Sequence, residues 1–143
     1  MAEFTYNPVQ LINAGAPAIF NSSIPCQKGY IVHRNESGIC ILRGIVNNRC
    51  ASFARYQVTF NGNIAIPEGG TPGSISVAIA IDGEAIPTST AISTPAAVDQ
   101  YNNVTSPAII DVPRGCCFNV AIENTSTVPI NMQNANLLIN RIA

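Results

Sequence analysis

From Ser74 to Pro87 the chain reads Ser-Ile-Ser-Val-Ala-Ile-Ala-Ile-Asp-Gly-Glu-Ala-Ile-Pro. Ile75, Val77, Ile79 and Ile81 take every second position with serine and alanine between them, so an extended strand sends all four branched side chains to one face. That face has to be buried. Asp82-Gly83 follows at once, a pair suited to positive φ at both centres of a tight turn, and Ala85-Ile86 starts back antiparallel. The stretch predicts the core hairpin of an all-β domain.

Similar patterns recur along the chain. Tyr30–His33 and Ile39–Val46 read as a second hairpin across the turn formers Asn35, Ser37 and Gly38. Phe53–Ile66 is a strand with Tyr56, Val58 and Phe60 on one face, and Gly62 predicts a bulge or bend. Thr88–Thr105 is rich in Thr, Ser, Ala and Asn, suits a loop at one end of a sandwich, and has room for short strands near Ala91-Ile-Ser and Val104. Pro107–Gly115 is a strand and turn, and Cys116–Glu123 returns with Cys116, Phe118, Val120 and Ile122 facing one way. The last strand, Ile130–Ala143, is apolar on both faces over Leu137-Leu-Ile, which belongs in the middle of a sheet or at a subunit contact. About eight to ten short strands, turn signals every 8 to 12 residues and no amphipathic helix predict a β-sandwich of jelly-roll type. Residues 1–23 read as an N-terminal arm ending in a first edge strand, Ala16–Asn21, and residues 24–143 as the sandwich domain. Phe4, Tyr6, Val9 and Leu11 are the anchors the arm offers, to its own domain or to a neighbour.

Composition sharpens the functional reading. The 143 residues are 47% hydrophobic and only 10% charged, against about 25% charged in ordinary soluble domains. So few charges cannot cover the surface, and association with other chains is expected. Seven basic and eight acidic residues leave a net charge of −1, and no Lys/Arg run could neutralise phosphates, which argues against nucleic-acid binding. Met1–Pro8 has neither the basic start nor the apolar core of a signal peptide, and no apolar run reaches the roughly 18 residues of a membrane span. Synthesis in a cytoplasm is therefore expected, with Cys26, Cys40, Cys50, Cys116 and Cys117 reduced and acting as buried small hydrophobes. A metal site fails on spacing: there is no C-x2-C pair, and His33, the single histidine, has no second ligand. The Gly-rich run Pro67–Gly73 is no phosphate cradle, because it lacks the Lys-Ser/Thr ending and leads into a strand. No cofactor is implied. The acids Asp82, Glu84, Asp99, Asp111 and Glu123 are scattered, no nucleophile context surrounds His33, and an enzyme is not expected. The four Asn-x-Ser/Thr triplets, at Asn21, Asn35, Asn103 and Asn124, are expected by chance in so Asn- and Ser-rich a chain.

Four segments together resemble a known family: Ala54–Asn63, Ser74–Pro87, Ile110-Asp-Val-Pro-Arg-Gly115 and Phe118-Asn-Val-Ala-Ile-Glu-Asn124. Their succession is similar to the trimeric jelly rolls of the TNF and C1q type found in bacteria and their phages, over Gln27 to Ala143. The resemblance implies a homotrimer. With no collagen-like stalk and no export signal, it further implies a structural virion protein made in the host cytoplasm: a decoration protein on the surface of a phage head, with the major capsid protein as partner. On that reading Phe4, Tyr6, Val9 and Leu11 grip the shell, Thr88–Ser106 forms the outward pole, and removal of Met1–Gln10 leaves a folded trimer that no longer binds capsids. Tyr56, Phe60, Leu138 and Ile142 are the expected trimer contacts, with ordinary sandwich core as the other reading of Tyr56 and Phe60. The alternative function is a receptor- or glycan-binding head, a fibre tip or C1q-like adhesion module.

Overall fold

Alternation builds the molecule. In β6 (Phe53–Ala65) every second residue from Ala54 to Ile64 is buried, and the same holds for β10 (Asn102–Pro113) from Val104 to Val112, apart from the half-buried Ala108. The structure, a computed structural model, describes residues 1–24, 29–33, 37–44, 50 and 52–142. Among these the chain forms twelve strands and one 3-10 turn, Pro87–Ser89, with no α-helix. The remaining strands are β1 (Ala2–Tyr6), β2 (Gln10–Ile12), β3 (Ser22–Ile24), β4 (Ile31–His33), β5 (Cys40–Arg43), β7 (Ile75–Ile81), β8 (Glu84–Ala85), β9 (Ala91–Ser93), β11 (Cys117–Asn124) and β12 (Ile130–Arg141). The excess over the expected eight to ten comes from pieces of two or three residues.

Two antiparallel sheets face each other. The first runs β10-β6-β12-β1-β3 with β2 also on β12; the second runs β4-β5-β11-β7-β8 with β9 also on β7. Phe4, Val58, Phe60, Leu137 and Ile139 from the first sheet meet Leu42, Val77, Ile79, Val120 and Ile122 from the second, all at most 2% exposed. This is the jelly-roll sandwich that the strand pattern predicts.

The central hairpin forms as read. Asp82 and Gly83 take φ of 51° and 85°, the double positive φ of the tight turn, and Ile75, Val77 and Ile79 are buried. Ala78 and Ala80 are buried as well, since β7 is an interior strand. Gly62 does not mark a bulge: β6 stays in register with β10 through it. Its lack of a side chain makes room instead, because a Cβ there would lie 2.8 Å from Phe60 Cζ. The irregularity falls in the partner strand β12, between Gln133 and Asn136, where Asn134 has φ 56°.

The N-terminal segment is the main departure from expectation. Residues 2–6 are not an arm beside the domain but a strand inside the first sheet, between β12 and β3. Ala2 and Phe4 are 1% and 2% exposed. The boundary expected after residue 23 falls within β3, and Ala16–Asn21 makes two isolated bridges, Pro17 to Glu123 and Phe20 to Ser37, rather than a strand. β12 explains this. With Leu137 and Ile139 on one side and Leu138 on the other, it needs a neighbour along both edges, and β6 supplies only one.

Tyr56 ties the two sheets together. Its ring is fully buried, and its hydroxyl lies against the carbonyl oxygens of Tyr30 and Arg43, both from the second sheet's side of the sandwich. Tyr56→Phe is expected to lower stability by about 1–2 kcal/mol, because two carbonyls lose a buried donor while the ring still fills its place. A urea midpoint that falls with an unchanged m-value would show it.

Candidate functional site

The outer face of the first sheet has the most distinctive surface chemistry. The registers of neighbouring strands lay its side chains in rows: Ile109, Gln57 and Asn140; then Pro107, Thr59, Leu138, Glu3 and Ile24; then Thr105, Asn61, Asn136, Thr5 and Ser22. Amides and hydroxyls dominate, and several bond across strands. Asn103 Nδ2 donates to Asn63 Oδ1 at 3.2 Å, and Thr105 Oγ1 donates to Asn61 Oδ1 at 3.3 Å. Around them stand exposed apolar side chains: Met1 at 68%, Ile24 at 64%, Ile109 at 56% and Ile142 at 47%. Met1, Gln57, Thr59, Leu138 and Asn140 enclose a shallow dent of about 180 Å³.

Charge on this face is sparse. Among the described residues its charged side chains are Glu3 and one pair, Arg55 with Asp111, directly opposite each other on β6 and β10. The pair is bidentate, Nε to Oδ1 at 2.7 Å and an Nη to Oδ2 at 2.9 Å, and Arg55 also lies 4.9 Å above the Phe53 ring. Arg55 holds the Asp111 carboxyl below its usual value, through these hydrogen bonds first and its charge second. A depressed carboxyl pKa stabilises the fold above the unfolded value and loses that contribution as pH falls through the folded one. In an NMR titration Asp111 is expected to protonate below the ordinary carboxylate range, and Arg55→Gln to return it there. Both groups are half exposed, so the pair sets local geometry more than stability.

The residues singled out from sequence scatter across the molecule. Leu138, half buried, and Ile142, exposed, lie on the face just described. Tyr56 and Phe60 do not: both are fully buried between the sheets, as even positions of β6 must be when odd positions face out. Of the four arm anchors, Phe4 is core, Tyr6 is half buried against it, and Val9 and Leu11 are 47% and 62% exposed. Thr88–Ser106 holds part of the 3-10 turn, β9 at the expected Ala91–Ser93 and the start of β10 around Val104, and Ser106 and Ser89 are buried and bonded to each other.

The polar candidates resolve into structural roles. Asp82 Oδ1 accepts the Asn119 amide at 3.0 Å, fixing the hairpin turn. Asn124 is 1% exposed and donates to the carbonyls of Ile12 and Val128, which removes it as a glycan acceptor. His33 Nε2 lies 2.9 Å from the Ser37 carbonyl, with the ring against Phe4 and Phe20. Cys40 is buried and its thiol is pushed up to about 12 by burial. Cys116 and Cys117, expected inside, are unpaired and exposed, because the β10–β11 turn and the first residue of β11 lie at the rim; Cys50 is exposed too, and Cys26 lies outside the described residues. Among the described residues no three His, Cys, Asp or Glu side chains come together as a metal site, and no helix is long and apolar enough to cross a membrane. A larger concavity, about 460 Å³, lies beside the hairpin turn among Gly15, Pro17, Ile39, Asp82, Asn119 and Glu123.

Sequence reasoning found the face only at Leu138 and Ile142. The register of β6 against β10 and β12 aligns the other rows, and that register spans more than forty positions of chain. The odd positions of β6, Arg55, Gln57, Thr59, Asn61 and Asn63, were the available signal.

No family model matches the chain, and no curated protein does. Solved structures do match its fold. The globular domain of zebrafish complement 1qA protein superposes with a TM-score of 0.61 at 11% identity, over 96% of this chain and 94% of that one. Eiger TNF from S. frugiperda gives 0.60 at 13% identity, over 100% of this chain and 92% of that one. The chain has the jelly-roll fold of the C1q and TNF domains.

Proposed function

We propose that the chain is a non-enzymatic homotrimeric head whose subunits meet through the outer face of the first sheet. The supporting observation is the chemistry of that face: rows of amides and threonines that bond laterally, a border of exposed apolar side chains, and two charged features, Glu3 and the internally neutralised Arg55–Asp111 pair. Such a face loses little on leaving water, because its polar groups bring partners with them. Three copies is the number the family resemblance implies. Light scattering on the purified chain, in reducing buffer and at falling concentration, tests the reading. A mass of three chains supports it, and a stable monomer at micromolar concentration overturns it.

The finer reading, decoration of a phage capsid, relied on residues 1–23 as a gripping arm. With Ala2–Tyr6 inside the sheet, that grip would pass to the exposed Val9 and Leu11, and co-sedimentation of a Val9→Ser, Leu11→Ser variant with capsid shells is its test. The receptor- or glycan-binding alternative rests on a different surface, one end of the sandwich.

A further inference from the structure

One charge on the outer face of the first sheet is left without a counterpart. Glu3 has Leu138 opposite it on β12 and Ile24 opposite it on β3. Leu138 is half buried and Ile24 is 64% exposed. Glu3 stands on the outer side because its neighbours in β1, Ala2 and Phe4, turn inward to the core. The next residues along the same side, Thr5, Asn136, Asn140 and Ser22, carry no charge. Glu3 itself is half buried, and among the described residues its carboxylate makes no hydrogen bond or ion pair, with the α-amino group at Met1 or with any side chain. The basic group of this face, Arg55, is already held through Nε and an Nη by Asp111. Of the other described arginines, Arg43 points from β5 to the outer side of the second sheet, Arg114 occupies the β10–β11 turn, and Arg141 lies over the Tyr30 ring.

We infer that Glu3 makes assembly acid-strengthened: copies of the chain join more tightly when this carboxylate carries a proton. This regulation rests on the proposed trimer, in which the face is buried between copies. Burial there takes one carboxylate per chain out of water and sets it among aliphatic side chains, with the guanidinium of the same face already engaged. An ion so placed is strongly disfavoured. The neutral acid escapes that cost, and its hydroxyl can donate to acceptor oxygens such as those that Thr5 and Asn136 carry in the adjoining row. The assembled form therefore holds more protons than the separated chains. Linkage fixes the sign: association strengthens as pH falls and weakens as pH rises. The other titratable groups supply no such slope. Asp111 stays ionised, since Arg55 holds its carboxyl below the usual carboxylate range. Asp82, Glu84 and Glu123 belong to the second sheet and its hairpin turn, and Glu68 and Asp99 to loops beyond the end of β6 and the start of β10. His33 lies on the opposite side of β1, its ring centroid 4.7 Å from that of Phe4, so a proton there acts on the core.

The test is light scattering on the full chain over a concentration series, at fixed ionic strength, at about pH 7.5 and about pH 5.5. The concentration at which half the trimer dissociates is expected to fall at least about tenfold between the two. Glu3→Gln keeps the shape and removes the charge. It is expected to assemble at the higher pH at least as tightly as the unaltered chain does at the lower, and to change by less than about twofold between them. Glu3→Lys, charged at both, is expected to assemble weakly at both. Far-UV circular dichroism and urea midpoints on the same samples separate an effect on assembly from one on the fold, the titration of His33 included. A trimer that acid leaves unmoved or loosens, a Glu3→Gln chain that keeps the full pH dependence, or a Glu3→Lys chain that assembles as tightly as Glu3→Gln overturns this regulation and leaves the trimer standing. A mass of one chain for every variant at both pH values overturns the trimer and the regulation together.

Discussion

Removal of residues 1–10 is expected to abolish folding, not merely to shave an appendage from a stable domain. The deletion takes away β1, which pairs with β12 over five residues and with β3 over three. It strips Ala2 and Phe4 from the core and Gln10 from its bonds to the Ile19 backbone at 3.1 and 2.9 Å. Phe4→Ala alone should lower stability by about 3–5 kcal/mol, a large part of the 5–15 kcal/mol that typically holds a domain together. Far-UV circular dichroism and urea unfolding check both. A truncated protein with a native spectrum and a cooperative transition would mean that β1 is dispensable.

Leu138→Arg is expected to convert the proposed trimer of the 15.1 kDa chain into a monomer without unfolding it. Leu138 sits in the middle of its row, between Thr59 and Glu3, with its side chain on the outer face. Alone in water an arginine there has solvent around its head and apolar sheet beneath its stem. In the assembly it would bury a cation, and its threefold copies, among amides and apolar side chains, a cost of several kcal/mol per charge. Light scattering should therefore give one chain mass with an unchanged circular dichroism spectrum. A persistent trimer would place the interface on another surface.

How much could be read in advance depended on the range of the interaction involved. The β7–β8 hairpin was legible because its information is local: alternation from Ile75 to Ile81, then the two residues that accept positive φ. The role of residues 2–6 was not. Phe4 and Tyr6 share a face in any extended segment, but whether that face meets its own core depends on a partner at Leu137 and Ile139, more than 130 positions away. Tyr56 and Phe60 carried two readings, trimer contact and sandwich core, for a related reason, and the core reading is the one the structure shows. Alternation separates the two faces of β6, yet only the packing of the second sheet decides which face is inside.

The two prolines of β10 bear on what kind of assembly is open to the molecule. Pro107 and Pro113 are both odd positions of an edge strand whose ladder to β6 runs unbroken through each. The amides of odd positions therefore point away from β6, and two of the six between 103 and 113 carry no hydrogen to offer an incoming strand. The other edge, β3, is three residues long. Growth of the sheet by strand addition, the route to open-ended fibrils, is thus interrupted at one border and brief at the other. Association is left to the faces and ends of the sandwich, where contacts can close on themselves and stop.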